Sequence, residues 1–552
     1  MVVALSMLLP WFSAGDHALF SPDEGRYASV AMHMVDGGGW LVPEFKGQPH
    51  LTKPPLTYWL IGVSIKALGP SSLAVRAPSL VAGSLCVLIV FLIGLSWRGP
   101  TVGAIAAGVL GVMPLFELVT RFAVTDPLLN LFWTGALGAG WMATRRDPLR
   151  WAALFWTCTA LGLMAKGPAA LIPALILLIW LLLARNKIGL KRLHVWTGLP
   201  LSVLPVIAWG LGVLATNDDA LAIWRHEVFD RAVGTGDHSM PVWFFAPVFL
   251  GGLYPATAML VVPGFNITWR RAWRNLRDGE TAALWAVAAV VPVVIFSLIA
   301  GKLPSYILPA CAPIALLTAE MLWRRATRSE GPRPPGFKRE PDVVVTLAIT
   351  AWITAVVGIA AAIHFGQLTA GLVIALGLGP VVSLIVWAIW RRARRQRPAA
   401  LLLAWAGALV VWGLIFEEED RFTAIASPEV MIERLTELEG GPVGRVAVYG
   451  FHDPSLWFYL WGRVRQVTPE ELASGDSGRS LGDIILVEQP KWKAFAANHP
   501  DAALRFEVLG SWRRRWTHPT LILRPRSSEV PAPSRAPGES RGGTPIPGEA
   551  SP

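Results

Sequence analysis

Long apolar runs, most of them followed by a short polar loop, recur along three quarters of the chain. A run of about eighteen or more apolar residues is long enough to cross a lipid bilayer as a helix. The pattern therefore predicts a mainly α-helical polytopic membrane protein with about thirteen transmembrane helices. They lie near residues 1–14, 75–96, 101–119, 127–143, 151–165, 168–184, 195–214, 244–263, 281–299, 305–323, 343–363, 367–390 and 399–416.

The first of these runs is too short for a bilayer about 30 Å thick. It has the apolar character of a signal-peptide core, but no basic residues precede it. Two further readings stay open at this point. Either the true start of the protein lies upstream, or this helix continues to about residue 20.

The external loop 15–74, between the first two spans, has a pattern of its own. Residues 22–36 place apolar side chains on one face of a helix, and Pro22 stands at its start, where proline is tolerated. The apolar positions are Tyr27, Val30, Met34 and Val35. A Gly-rich turn and an extended stretch follow, and "PPLTYWLIGVSIKALG" then predicts a second amphipathic helix in the membrane interface.

The composition changes after the last apolar run. The segments "RVAVYGF", "GDIILVEQ" and "RFEVLGSW" are typical of strands, and "PSLWFYLWG" and "KWKAFAANHP" of helices. Residues 1–417 are thus predicted as a membrane domain and 418–525 as a small soluble α/β domain. Its turn "YGFHDPS" lacks the glycine fingerprint of a nucleotide site. Residues 526–552 are rich in Pro, Ser, Gly and Glu, which predicts a disordered tail.

Composition and charge agree with a membrane protein. Of the 552 residues 53% are hydrophobic and only 16% are charged, with a mean hydropathy of +0.47. The net charge of +11 would suggest nucleic acid as the partner of a soluble protein, but here most Arg and Lys lie in short loops between spans, so no nucleic-acid partner is predicted. Every second loop is basic, which places those loops and the N-terminus in the cytoplasm. The loop 15–74 and the C-terminal domain then face the other side, the periplasm.

Charged residues gather at the non-cytoplasmic ends of the predicted spans. They are Asp23, Glu24, Arg26, Lys53, Asp126, Lys166 and Lys302. A single Lys at a helix end often only extends to the lipid headgroups. A set that combines carboxylates with cations on one face instead fits a phosphate-bearing lipid, because carboxylates act as bases and Lys and Arg bind phosphate. A transporter would need such residues near the bilayer centre.

The segment "SPDEGRYASVAMHMVDGGGWLVPEFKGQPHLTKPPLTYWL" resembles the first external loop of the glycosyltransferase C superfamily. It is most similar to the branch of aminoarabinose transferases, which use undecaprenyl-phosphate sugars to modify lipid A, and of bacterial protein mannosyltransferases. Four other segments resemble segments of that family. They are "RFAVTDPLLNLFW", "GLMAKGPAALIPAL", "GDHSMPVWFFAPVFLGGLYP" and "FSLIAGKLPSYILPACAPIALL".

The resemblance implies a role for each matching residue. Asp23 would be the catalytic carboxylate supported by Glu24, and Asp126 the second acidic residue of the cavity. Arg26 would orient Asp23 or bind phosphate, and Lys53 would hold the donor phosphate. The remaining substrate-binding residues implied by the matching segments are Lys166, His238, Lys302 and Tyr306. Close relatives often carry Glu before Lys-Pro-Pro, where it could bind a divalent cation; Thr52 stands there in this chain, so no metal or other cofactor is assigned.

The implied reaction moves a sugar from a polyprenyl-phosphate donor to a lipid or glycolipid acceptor at the periplasmic face of the bacterial inner membrane. If the acceptor is a hydroxyl group, Asp23 takes its proton. If the acceptor is a lipid A phosphate, no base is needed and Asp23 mainly orients it. A protein O-mannosyltransferase-like activity is the alternative among enzymes. A lipid or ion transporter, or a protein whose C-terminal domain binds a partner, is the alternative outside that class.

Overall fold

The chain forms two compact units in a computed structural model that describes residues 1–225, 240–257, 277–327, 428–451, 453–474, 483–512 and 519–526. The first unit is Met1–Glu433 together with Asp453–Trp461, and the second is Arg434–His452 together with Gly462–Pro552. The predicted spans near 343–363, 367–390 and 399–416, the residue His238 and all but the first residue of the predicted tail lie outside the described residues.

Helices fill the first unit, and the amphipathic helix predicted over 22–36 is confirmed at Asp23–Val35. The α-helices are Val2–Leu8, Asp23–Val35, Leu56–Leu68, Ser72–Arg98, Pro100–Leu110, Pro114–Thr120, Thr125–Ala143, Pro148–Lys166, Ile172–Leu183, Lys187–Arg192, Val195–Leu214, Ala220–Arg225, Phe245–Gly252, Thr281–Leu298, Cys311–Thr327 and Pro454–Tyr459, and Glu429–Glu439 crosses into the second unit. Short 3-10 helices are Leu9–Trp11, Pro168–Leu171, Val242–Phe244 and Pro304–Ala310. A small antiparallel hairpin pairs Glu44–Phe45 with Gln48–Pro49.

Within the described ranges, four helical segments are long and apolar enough to cross a membrane. They are Ser72–Arg98, Lys187–Leu214, Thr281–Leu298 and Pro304–Arg324. The pair Pro100–Leu110 and Pro114–Thr120 makes a fifth if it is one span bent by 70°. The opening helix does not continue to residue 20: helical backbone ends at Trp11, and Phe12 is already extended. Pro10 lacks the N–H that would bond to the carbonyl oxygen of Ser6, so the last turn has one helical hydrogen bond fewer.

The core of the first unit consists of large aromatic side chains between close-packed helices. Trp133, Trp141 and Trp285 are fully buried, and the indoles of Trp141 and Trp285 meet edge to face with ring centroids 5.8 Å apart. Close approach of Ser72–Arg98 and Pro100–Leu110 depends on Gly94, because a methyl group there would lie 2.6 Å from the Cα of Gly103. Small residues at such crossings are typical of helix packing in membranes.

The second unit contains a five-stranded mixed sheet whose strands include the three that the sequence predicts. In spatial order the strands are Val464–Gln466, Val446–Tyr449, Ile484–Glu488, Thr520–Pro525 and Phe506–Trp512. The first three run parallel, and Thr520–Pro525 is antiparallel to both of its neighbours. Helices Pro469–Ser474, Gln489–Asn498 and Pro500–Ala503 complete the unit. Ile485, Val487 and Phe495 are buried between sheet and helices.

Candidate active site

The helix Asp23–Val35, called the acidic helix below, has three faces with different surroundings. Glu24, Ala28 and Ala31 are buried against the rest of the first unit. A second side of the helix, together with Ser21 just before it, is buried against the segment Asp453–Trp461. Asp23 and Arg26 lie on a third side, which is open only at the start of the helix, because Val30 and Met34 further along it are buried. This division follows from the helical period, because residues three or four apart share a face.

Glu24 is the most completely bonded carboxylate of the loop. Its side chain is 1% exposed and pairs with the guanidinium of Arg76 through two hydrogen bonds of 2.9 and 2.8 Å. The backbone N–H groups of Phe20 and Ala123 donate to it at 2.7 and 2.8 Å. All four acceptor positions of the carboxylate are thus used. Glu24 therefore ties the loop to two other segments of the first unit, and none of its lone pairs points to open space.

Arg76 completes this buried junction from the helix Ser72–Arg98. Besides Glu24, its guanidinium donates to the carbonyl oxygens of Ala14, His17 and Ala18 at 2.8–2.9 Å. The chain before the acidic helix is therefore wrapped around one side chain. Sequence reasoning missed Arg76, although a charged residue inside an otherwise apolar span was the available signal.

The carboxylate of Asp23 is exposed, unlike that of its neighbour Glu24. The side chain of Asp23 is 61% exposed, and one carboxylate oxygen lies 3.9 Å from the guanidinium of Arg26, itself 38% exposed. Among the predicted acidic residues, Asp23 is thus the one whose carboxylate stands in the open. A carboxylate in the first turn of a helix interacts favourably with the helix dipole.

Lys53 and Arg26 lie near the same side chain, His50. Burial, together with the positive charges of Arg26 and Lys53, lowers the pKa of His50 to about 4. The ammonium group of Lys53 donates to the carbonyl oxygen of Thr52 at 2.9 Å, and the Thr52 hydroxyl is 3.2 Å from Nε2 of His50. Two cations therefore flank a neutral imidazole beside the acidic helix, which is an arrangement suited to an anionic group.

Asp126, Lys166 and Tyr306 form a second cluster. The ammonium group of Lys166 donates to a carboxylate oxygen of Asp126 at 2.6 Å and lies 4.9 Å from the centre of the Tyr306 ring. Tyr27 connects this cluster to the acidic helix. Burial raises the pKa of the Tyr27 phenol, and the negative charge of the Asp126 carboxylate raises it further. The phenol also forms a hydrogen bond with the side chain of Thr125.

Lys302 is buried and donates to the carbonyl oxygens of Met240 and Ala300 at 2.8 and 3.4 Å. His238 lies outside the described residues, so its role in substrate binding stays a prediction. Throughout the described ranges no group of three or more His, Cys, Asp or Glu side chains could hold a metal ion. At the position before Lys53, the hydroxyl of Thr52 is 3.2 Å from Nε2 of His50.

The fold agrees with that of solved membrane glycosyltransferases. The structure of ArnT from Cupriavidus metallidurans bound to undecaprenyl phosphate superposes with a TM-score of 0.76, covering 96% of this chain and 98% of that one at 18% identity. Residues 52–209 match the family described as dolichyl-phosphate-mannose-protein mannosyltransferase. Fold and loop together are similar to those of integral membrane glycosyltransferases of the C superfamily.

Relatives of this chain narrow the class further. The undecaprenyl phosphate-α-4-amino-4-deoxy-L-arabinose arabinosyl transferase 2 of Pseudomonas fluorescens is 31% identical over 434 residues, which are 74% of this chain and 69% of that protein. The corresponding transferase of Sodalis glossinidius is 34% identical over 330 residues, 58% of each chain. The chain thus spans about three fifths of that relative's length in the match. It belongs to the family of these arabinosyl transferases, which confirms the resemblance seen in the sequence.

Proposed function

We propose that the protein transfers 4-amino-4-deoxy-L-arabinose from undecaprenyl phosphate to lipid A or another glycolipid of the cell envelope. The observation that carries this proposal is the open carboxylate of Asp23 beside Arg26, with Lys53 near the same imidazole. The reaction needs a carboxylate that takes a proton from the acceptor or orients it, and positive charge that stabilises the departing phosphate. Asp23 supplies the carboxylate, and Arg26 and Lys53 supply the charge.

In the proposed reaction an acceptor oxygen attacks the anomeric carbon of the donor sugar. The new C–O bond forms as the bond between that carbon and the phosphate oxygen breaks, and undecaprenyl phosphate leaves with the electron pair. Arg26 and Lys53 stabilise the negative charge that develops on the leaving group. A hydroxyl acceptor gives its proton to Asp23, whereas an ionised phosphate acceptor needs Asp23 only for orientation.

The other residues of the proposed site act around these three. Glu24, buried with Arg76, positions the helix that carries Asp23. Asp126, Lys166 and Tyr306 form the second part of the proposed cavity, with Tyr27 between the two parts. Lys302 and His238 complete the substrate-binding set. A protein acceptor is the second candidate, because the matched family model describes protein mannosyltransferases.

Replacing Lys53 with Ala is expected to raise the KM for the donor at least tenfold, since a charge-assisted hydrogen bond contributes about 1.5–3 kcal/mol. Lys53→Arg keeps the charge and should retain most donor use. The measurement is sugar transfer from undecaprenyl phosphate to lipid A by the purified protein in vesicles, with a peptide acceptor assayed in parallel. Transfer to the peptide and not to lipid A would replace the lipid acceptor by a protein.

Lys66→Ala is the matched control for Lys53→Ala. Lys66 lies at the end of the helix Leu56–Leu68, with its ammonium group 4.9 Å from the centre of the Trp40 ring, as expected of a lysine that only reaches toward headgroups. Its loss should leave donor kinetics unchanged. Donor kinetics of Lys53→Ala equal to those of the wild type would assign Lys53 the same passive role.

We also propose a topology of about thirteen spans in the bacterial inner membrane, with domains 1–417, 418–525 and the tail 526–552 as the sequence divides them. The N-terminus is cytoplasmic, and the site and the C-terminal domain are periplasmic. Every second loop between the spans is basic, so the basic loops share one side of the membrane, which supports this orientation.

A cysteine introduced at exposed Ser474 is expected to react with an impermeant thiol reagent in cells whose outer membrane alone is permeabilised. Position 477, outside the described residues, is a second choice in the same polar stretch. A cysteine at exposed Arg146, in a predicted cytoplasmic loop, should react only after the inner membrane is lysed. The three natural cysteines lie within helices, and the parent protein gives the background. The reverse labelling pattern would invert the orientation.

A further inference from the structure

One stretch of the C-terminal region belongs to the first unit. Asp453–Trp461, called the linking segment below, connects the strands Val446–Tyr449 and Val464–Gln466 of the second unit. It contains the short helix Pro454–Tyr459, which begins with Asp453 accepting a hydrogen bond from the backbone N–H of Ser455 at 3.0 Å. Neither the resemblance of the sequence nor the comparisons assign this segment a role.

The linking segment packs along one face of the acidic helix. Gly25 and Ser29 are four residues apart and therefore share that face of the helix, and Ser21, just before the helix, contacts the same segment. The Ser21 hydroxyl donates to a carboxylate oxygen of Asp453 at 2.6 Å, and the Ser29 hydroxyl donates to the carbonyl oxygen of Pro454 at 3.0 Å. Between them, a methyl group on Gly25 would overlap the backbone of Ser455. This is contact at backbone distance over two turns of helix.

Burial makes the bond between Ser21 and Asp453 specific. Ser21 is 6% exposed and Asp453 is fully buried. A carboxylate removed from water needs its partners, because an unsatisfied buried polar group costs about 1–3 kcal/mol and a charged one more. Ser21 stands two residues before Asp23, with only Pro22 between them, and the ring of Pro22 restricts the backbone there. Asp453 therefore holds the chain at the entry to the turn that carries Asp23.

A second contact fixes the same stretch of chain. The Tyr459 hydroxyl accepts from the backbone N–H of Leu19 at 2.6 Å and lies 3.2 Å from the hydroxyl of Ser72. The segment before the acidic helix is thus held between Arg76 on one side and the linking segment on the other. Both restraints act within a few residues of Asp23.

We propose that Asp453 is a positioning residue of the transferase, which sets the place of Asp23 through Ser21. The inference deepens the proposed function and rests on it. A displacement of about 1 Å at a reacting group can lower turnover about a hundredfold. The hydrogen bond between Ser21 and Asp453 joins residues 432 positions apart in the sequence. A segment far from Asp23 along the chain is then part of the framework of the active site.

The test uses the full-length protein in vesicles, with undecaprenyl-phosphate-linked aminoarabinose as donor and lipid A as acceptor. Ser21→Ala and Asp453→Ala are each expected to lower kcat about tenfold or more, with the KM for the donor changed less than twofold. Because either variant loses the hydrogen bond between Ser21 and Asp453, the double variant should be no slower than Asp453→Ala, which also loses the bond from the backbone N–H of Ser455. Asp453→Asn keeps an acceptor oxygen and should restore kcat to within about threefold.

Trp461→Phe is the matched control within the linking segment. It removes the hydrogen bond of 2.8 Å from the Trp461 indole to Asp36, beyond the far end of the acidic helix, and should keep kcat within twofold of the wild type. If Asp453→Ala does not fold, Ser21→Ala, which only deletes a hydroxyl, decides the question. Wild-type kcat in folded Ser21→Ala, or equal losses in Trp461→Phe, overturns the positioning role. A wild-type protein without sugar transfer overturns the proposed function instead.

Discussion

Replacing Asp23 with Asn is expected to lower sugar transfer about a hundredfold or more if a general base is lost, and to leave the fold intact. The side chain is 61% exposed, and the guanidinium of Arg26 is 3.9 Å away, so the shape of the site survives the exchange of one oxygen for nitrogen. The structure also argues against a capping role, because Pro22 occupies the N-cap position and no side-chain cap hydrogen bond is present there. The helix-dipole effect of an exposed first-turn carboxylate is only about 0.3–1 kcal/mol.

Asp16→Asn is the control for this prediction. Asp16 is an exposed carboxylate of the same loop, before the acidic helix, and its replacement removes the same charge without touching the open face of that helix. Transfer, donor binding and thermal midpoint are measured for both variants. Near-wild-type turnover in Asp23→Asn would remove Asp23 from the chemistry and leave it a local electrostatic role at the helix start.

The acidic helix shows how much of the site the sequence predicts. Its period of apolar residues places it at 22–36, and the structure has it at Asp23–Val35. Helical spacing of apolar residues is a local property, and it survives in any tertiary context that buries one face. The open position of Asp23 does not follow from the same period, because Val30 and Met34 lie on the same side of the helix as Asp23 and are buried.

The partners of that helix could not be predicted, because they are distant in sequence. Arg76, Ala123 and Asp453 reach it from three separate segments, and no local pattern couples them to Glu24 or Ser21. The resemblance gives Asp23 the catalytic role and Glu24 a supporting one, and adjacent helical residues point in different directions. That Glu24 faces a buried guanidinium becomes visible only in the packing.

The turn "YGFHDPS" is a second place where the sequence does not reveal a long-range contact. In the sequence it is notable for a missing glycine fingerprint, and its Asp453 resembles an ordinary helix cap. The cap is present, but the same carboxylate also accepts from Ser21. A residue with a sufficient local explanation gives no sign of a second, long-range partner, so this role becomes visible only when the linking segment is placed.

Glu24→Gln is expected to act on stability rather than on chemistry. The carboxylate of Glu24 and the guanidinium of Arg76 are 1% and 3% exposed and form two hydrogen bonds. Gln would leave the charge of Arg76 buried and uncompensated, and its amide N–H₂ would face one of the donors that now point at the carboxylate. Removing one partner of such a pair costs about 3–5 kcal/mol, a large part of the roughly 5–15 kcal/mol by which proteins are stable.

We therefore expect Glu24→Gln to lower the thermal midpoint and the amount of protein in the membrane strongly, while the fraction that remains folded transfers sugar far better than Asp23→Asn does. Arg76→Met, which removes the other charge and leaves Glu24 buried without it, should have an effect of similar size. The matched control is Glu280→Gln, at an exposed carboxylate at the start of the helix Thr281–Leu298, which should change neither quantity. Wild-type stability of Glu24→Gln combined with a loss of turnover as large as that of Asp23→Asn would give both carboxylates a chemical role, and the buried pair would then not be the junction that holds the loop.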